Sequence, residues 1–200
     1  NPTGAEAIRP SLEAQVVNLA DEIAYQNHDA DDGLRSRLFT EADLEKLELW
    51  QWAKEASDKA DGLISDEKIR ISRTVSKMIS LMIWDIAEES SRLIQLHGIQ
   101  NTQDVYNCKE KLVNFSPPME VANKALKDFL TTHLYYHPDV VQHSDHGKRI
   151  VKKLFNYYVT EWKLAHPGGS AEEGALEIKD YLAGMTDRFA EIQVQELEGL

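Results

Sequence analysis

Asp21, Tyr25, His28 and Asp32 recur at intervals of four, three and four residues within LEAQVVNLADEIAYQNHDADDG, residues 12–33. At about 100° per residue a helix sets them at roughly 180°, 220°, 160° and 200°. A carboxylate, a phenol, an imidazole and a second carboxylate would then share one face. Carboxylates and imidazoles are ligands of divalent cations, and a phenol ring offers a flat surface with a polar tip. Leu12, Val16, Leu19 and Ile23 fall at roughly 0°, 40°, 340° and 20°, so the opposite face is greasy. A surface helix whose polar face meets water is the plainer reading. Two details argue against it. Short acidic groups and a tyrosine replace the Lys–Glu pairs that decorate a solvated face, and Val17 and Ala24 border the strip at roughly 140° and 120°. A helix apolar nearly all round is expected to be buried, and buried carboxylates need a metal or a cation.

The elements that must position these groups read as helix after helix. Ser11 caps the first, 11–33, and Asp32-Gly33 closes it. Thr40 opens a second over TEADLEKLELWQWAKEAS, with Asp43 completing a capping box. Ser65 opens a long third, carrying Val75, Met78, Ile79, Met82, Ile83 and Ile86 at helical spacing, which ends at His97-Gly98. Ser116-Pro117 starts another that stops at His137-Pro138, and one more runs through Val140, Ile150, Leu154 and Tyr158 to about Leu164. HPGGS, 166–170, is the clearest loop. Ser170 and Glu173 then open a last helix through Ile178, Leu182 and Phe189. With no strand pattern, repeat or low-complexity tract, the expectation is an all-α fold forming a single helical unit over 1–200.

The chain has 200 residues, 42% hydrophobic and 28% charged, with a net charge of −12. That suits one domain with a core of useful size and argues against a general nucleic-acid coat. No run approaches eighteen apolar residues, so no membrane span is expected. The start, NPTGAEAIRP, lacks the basic and apolar regions of a signal peptide, and its missing initiator Met points to a processed or excised chain. The lone Cys108 has no internal partner, which suits a reducing, cytoplasmic setting. HLYYH, His133–His137, spaces two histidines one turn apart but has Leu134 where a zincin needs Glu; an aromatic helix end is the better reading. HSDHG, 143–147, reads as a solvated turn, and Tyr135, Tyr136, Tyr157 and Tyr158 read as packing residues. Arg70, Arg73 and Lys77 share a helix face, with pairing to Asp66 or Glu67 favoured over an anion site. No phosphate loop, dinucleotide fingerprint or Ser-His-Asp order is present.

Residues 12–39, LEAQVVNLADEIAYQNHDADDGLRSRLF, resemble a signature of the deoxyguanosine triphosphate triphosphohydrolase family. These are dNTP-hydrolysing members of the HD metal-dependent phosphohydrolase superfamily. DYLAGMTDRFA, 180–190, is similar to the family's carboxy-terminal motif, and ALKDFLTTHLYYHPDVV between them matches in order and spacing. The resemblance implies the carboxy-terminal part of a multi-helix HD-domain-like bundle, with 170–190 as the motif helix. It implies hydrolysis of a deoxynucleoside triphosphate to the deoxynucleoside and triphosphate. The family's metal is held by a His, a later His-Asp doublet and a final Asp, and Asp21 matches the last. Tyr25 matches the position whose ring packs on the substrate sugar. Arg188 is expected to face the nucleotide, with Asp187 bonding to a neighbouring helix. His28, Asp29 and Asp32 are expected to support the site.

One departure limits what the chain can do. His28-Asp29 spells the doublet but lies downstream of Asp21, and residues 1–20 contain no His. The chain thus looks like a carboxy-terminal portion that lacks the amino-terminal HD half. A divalent metal such as Mg or Mn is expected in the full-length protein and not in this chain alone, where one ligand is too few. The chain alone is then expected to be inactive. A homo-oligomer, such as a hexamer, is implied by analogy. The competing reading is a non-catalytic helical interaction or regulatory module that keeps the fold.

Overall fold

Nine α-helices and one π-helical turn, with no strand, make up the described residues, 9–199, of the computed structural model. The all-α class is as expected; the stretch 1–8, read above as lacking a signal peptide, lies outside the described residues. In order these are α1 (Leu12–Arg35), α2 (Glu41–Leu44), α3 (Glu48–Asp61), α4 (Glu67–Leu96), α5 (Thr102–Asn107), α6 (Pro117–Leu130), the π turn Thr131–Tyr135, α7 (Pro138–Ala165), α8 (Ala171–Ala183) and α9 (Asp187–Glu198). Where a single unit was expected, the chain divides into two compact ones, Asn1–Tyr136 and His137–Leu200.

In the first unit α1 packs on α4 and α6, and α3 packs on the same two helices. Leu19, Ile23 and Ala30 of α1 meet Met78 and Met82 of α4, Leu126 and Leu130 of α6, and Leu49 and Trp50 of α3 in one core. Each large side chain buried there contributes about 1.5–3 kcal/mol. Polar struts fix the loops around it. The buried Gln15 side chain accepts hydrogen bonds from the backbone N–H groups of Leu112 (3.1 Å) and Val113 (3.2 Å) and donates to the Pro10 carbonyl (2.9 Å). Asp85 of α4 accepts from the N–H (2.8 Å) and hydroxyl (2.6 Å) of Ser116, securing the start of α6 from a neighbouring helix. The second expected helix is two: Thr40 and Asp43 do form a capping box, but the turn after Leu44 separates α2 from α3. Asp66, not Ser65, caps α4, accepting from Ile69 N–H at 3.0 Å. Arg70 pairs with neither Asp66 nor Glu67. It reaches Glu41 of α2, with Nη2 2.7 Å from the carboxylate, and holds that carboxyl below its ordinary value of 4.5.

The end of α1 corrects the sequence reading most clearly. Gly33 does not close the helix but lies buried inside it, because the Phe39 ring folds back against its backbone. A Cβ at Gly33 would stand 2.2 Å from Phe39 Cε1 and Cζ. The left-handed residue that ends the helix is Arg37, with φ 59°. Leu38 N–H donates to Gly33 O (3.0 Å) and Arg37 N–H to Leu34 O (3.2 Å), the pair of bonds that defines a Schellman motif.

In the second unit α7 packs on α8 and α9, around the buried Leu154 and Ile178. HSDHG lies inside α7 rather than in a turn, with His146 Nε2 3.9 Å from Glu191 of α9. The loop 166–170 is as expected, and the Trp162 ring lies so close to Gly174 that a Cβ there would meet it at 2.6 Å. The expected helix over 170–190 breaks in two. Gly184 ends α8, and the Thr186 hydroxyl accepts from Phe189 N–H (3.3 Å) to start α9.

Substituting Gly33→Ala is expected to destabilise the fold by about 1–3 kcal/mol through forced displacement of Phe39, seen as a lower urea midpoint; an unchanged midpoint would refute the packing. Arg37→Gly should raise stability by about 1 kcal/mol by relieving the left-handed backbone, and a fall in stability would contradict this. Glu41 contributes stability that is fully present above its unfolded value, near 4.5, and is lost as pH falls through its depressed folded value. Glu41→Gln should therefore flatten the acid limb of a stability–pH curve, and an unaltered limb would count against the pair.

Candidate functional site

The rotation of α1 decides which groups can meet a ligand. Its buried side carries Gln15, Leu19, Ile23, Gln26, Asn27, Ala30 and Gly33. Two polar anchors reinforce that setting. Glu22 Oε1 accepts from Gln26 Nε2 (3.1 Å) and from Asn123 Nδ2 of α6 (3.2 Å), with Lys127 Nζ 3.7 Å away. Asn27, fully buried, donates to Ile23 O (2.7 Å) and lies 3.5 Å from Met82 Sδ of α4. With that side fixed, Asp21, Tyr25, His28 and Asp32 all stand exposed on the other.

The strip is therefore aligned as the spacing predicts, yet it is not buried. Tyr25 is 62% exposed and Val17 64% exposed, and Ala24 is exposed as well. Even Val16, assigned to the greasy face, is 48% exposed. The reason is that the buried side centres on Leu19, Ile23 and Ala30, which turns Val16 to its margin. Apolar residues thus border an accessible carboxylate-and-phenol strip.

Asp29 lies at the strip's edge, one turn beyond Tyr25. Its Oδ2 accepts a hydrogen bond from the hydroxyl of Tyr135 in the π turn. That bond, followed by burial, pushes the Tyr135 phenol up to about 12. Sequence reasoning missed Tyr135 and grouped it with packing tyrosines. Its direction depends on the π turn, which helical spacing does not reveal. Asp31 turns away from the strip, with Oδ2 2.6 Å from Arg35 Nε and a buried Oδ1 that has no partner among the described residues.

No companion ligands gather around Asp21 among the described residues. Among the described residues no three His, Cys, Asp or Glu side chains converge as a metal site would require. The HLYYH histidines are engaged locally. His133 stacks on Phe129 with ring centroids 4.1 Å apart, and His137 caps α7 by accepting from Asp139 N–H at 3.3 Å.

The carboxy-terminal motif belongs to the second unit. Asp180, Tyr181, Gly184, Met185, Thr186 and Phe189 line an open hollow of about 510 Å³ there. Arg188 is exposed on the first turn of α9. Asp187 was expected to bond to a neighbouring helix, but its side chain makes no hydrogen bond among the described residues. It occupies the first position of α9, where the helix dipole favours a negative charge.

Residues 113–196 match the family described as phosphohydrolase-associated domain. Three curated relatives, each called a deoxyguanosinetriphosphate triphosphohydrolase-like protein, match nearly the whole chain. The one from Geobacter sulfurreducens is 37% identical over 185 residues, 90% of this chain and 48% of its own length. The one from Azoarcus is 37% identical over 185 residues, 91% and 48%, and the one from Ralstonia pickettii is 38% identical over 189 residues, 92% and 48%. The chain spans about half the length of the curated relatives it matches. No helix among the described residues is long and apolar enough to cross a membrane. By this similarity the chain belongs to the deoxyguanosinetriphosphate triphosphohydrolase-like family, over a stretch consistent with a carboxy-terminal portion of its members.

Proposed function

We propose that this chain is part of a metal-dependent hydrolase that converts a deoxynucleoside triphosphate, dGTP above all, to the deoxynucleoside and triphosphate. The observation that carries the reading is the accessible Asp21–Tyr25 pair, one turn apart on a helix whose rotation is locked. In the overall reaction water adds its oxygen to the α-phosphorus, the bond to the sugar oxygen breaks, and that oxygen takes a proton.

A divalent metal does not fit this chain by itself. One exposed carboxylate stands where a held metal needs at least three protein ligands, so no step is assigned to a metal here. The remaining ligands are proposed to come from the portion of the relatives' length that this chain does not span. What the chain itself supplies is recognition and placement. Asp21 offers an acceptor oxygen at one end of the strip. Tyr25 offers a ring about 6 Å further along the axis, with the exposed Ala24 next to it, against which a deoxyribose can pack. Arg188, with a planar donor fork suited to a phosphate or a base edge, is proposed as a further nucleotide contact. The cytoplasm as compartment and a homo-oligomeric assembly complete the reading.

In a full-length protein containing this chain, Asp21→Ala is expected to abolish triphosphate release with the melting temperature retained. Near-wild-type turnover in the variant would overturn the assignment of Asp21 as a metal ligand, and no turnover by the wild type would favour a non-catalytic module. Tyr25→Ala should weaken substrate interaction by about 1–3 kcal/mol through lost burial, read as a rise in KM at unchanged melting temperature. A fall in melting temperature with intact kinetics would make Tyr25 a packing residue only.

A further inference from the structure

The 30-residue helix α4 turns an unusual side away from the core. Lys77, Ser80, Trp84, Ala87 and Glu88 all lie within about 60° of Arg73 around its axis. Lys77 is half-buried and the other five are exposed. Trp84 is 69% exposed and its neighbour Ile83 54%. Between Lys77 and Glu88 this side carries no charge, although a helix face in water is ordinarily studded with Lys–Glu pairs. Its serines are turned inward as well. The Ser80 hydroxyl donates to Ser76 O (2.9 Å) and the Ser91 hydroxyl to Ala87 O (2.7 Å), each on its own helix. The charges that flank the dry stretch have no partner in the fold. Arg73, Lys77 and Glu88 make no ion pair among the described residues, whereas Arg70 is held by Glu41 and Arg92 by Glu89.

We infer that this outer side of α4 is a two-fold contact with α4 of a second copy of the chain, the two helices antiparallel and centred on Ser80. The order of charge along the helix selects this occupant. Cations stand at the amino-terminal end of the dry stretch and an anion at its carboxy-terminal end, so an antiparallel copy sets opposite charges together and a parallel one sets like against like. A contact between identical surfaces must also be self-complementary, each residue meeting the one that meets it in return. Arg73 and Glu88 are about 22 Å apart along the axis. Placing each opposite the other's counterpart puts the two-fold between Ser80 and Leu81. Lys77 then faces Trp84 of the second copy, the arrangement of a cation over an indole ring. Ser80 and Ala87 are small enough to let the backbones approach to about 8–10 Å, and Trp84 and Ile83 leave water. Trp near the centre of a contact, with charges at its rim, is the usual distribution of binding energy at an interface. The inference rests only on the homo-oligomeric part of the function proposed above and is independent of the reaction.

The test uses a full-length protein containing this chain, its mass followed by sedimentation velocity. Arg73→Glu and Glu88→Arg are each expected to lower the mass of the assembly to half or less, with the helical circular dichroism retained because both side chains are exposed. The double variant, and an equimolar mixture of the two single variants, should recover the wild-type mass, since either restores opposite charges across the two-fold. Trp84→Ala should raise the dissociation constant about thirtyfold, as loss of a central Trp does. Cross-linking reads the register. In a Cys108→Ser background Ser80→Cys should form a disulfide between copies on oxidation, because residues beside a two-fold meet their own counterparts within disulfide reach. Ser91→Cys, about 30 Å from its counterpart in this arrangement, should not. An oligomeric wild type whose mass ignores all three substitutions at Arg73, Trp84 and Glu88 would overturn the inference and leave the proposed oligomer standing. So would variants that lose mass without recovering it in the mixture, or a Ser91→Cys cross-link in place of the Ser80→Cys one. A lower melting temperature for Trp84→Ala at unchanged mass would show that another part of the same polypeptide covers the face, which also overturns it. A monomeric wild type would sink both this contact and the homo-oligomeric reading, with the hydrolytic one untouched.

Discussion

A roll of α1 about its own axis by one residue, about 100°, would bury part of the acidic strip and expose Ile23. What prevents it is a combination of shape and charge. Leu19, Ile23 and Ala30 are sealed into the core. Gln15 bonds to the 112–113 backbone, Glu22 accepts from Asn123 of α6, and the buried Asn27 amide lies against Met82 of α4. A buried polar group that loses its partner costs about 1–3 kcal/mol, so the contacts of Gln15 and Asn123 oppose rotation more sharply than an apolar contact would. The position of every candidate site residue in the first unit follows from that lock.

The same constraint explains why acidic groups can be concentrated on one helix without a partner at each. Asp21 and Asp32 remain in water, where their charges are screened, with His28 exposed between them. Asp29 and Asp31 are stabilised by Tyr135 and Arg35. The apolar border at Val16, Val17 and Ala24 is the unusual part, because isolated surface helices set charged pairs there. A carboxylate repels the anionic phosphates of a nucleotide directly, so on the proposed reading Asp21 meets them only through a cation, while the neighbouring Tyr25 ring meets the sugar.

Helix spacing made the strip legible, because the periodicity of Leu12, Leu19 and Ile23 reports the core-facing side directly. Its exposure was not legible. Val17 and Ala24 read as flanks of a buried helix, but burial depends on what lies across from them, and spacing carries no information about that. Gly33 was misread for a related reason: glycine serves both as a helix terminator and as a site of close approach, and only the position of Phe39 distinguishes the two. Arg37 gave no warning of a left-handed backbone. The break at Gly184–Thr186 was hidden because Ile178, Leu182 and Phe189 keep helical spacing across it. Tyr135 was lost to the π turn, which shifts the helical register by one residue and so defeats any argument from spacing.

The central claim is that the Asp21–Tyr25 strip of α1 faces a metal-bound deoxynucleotide. A crystal structure of a full-length protein containing this chain, with a divalent cation and a non-hydrolysable dGTP analogue, tests it most directly. The account predicts an Asp21 carboxylate oxygen at about 2.0–2.2 Å from the cation, within the range of such bonds, and the deoxyribose packed on the Tyr25 ring. A nucleotide and cation bound elsewhere, with Asp21 and Tyr25 open to solvent, would contradict it.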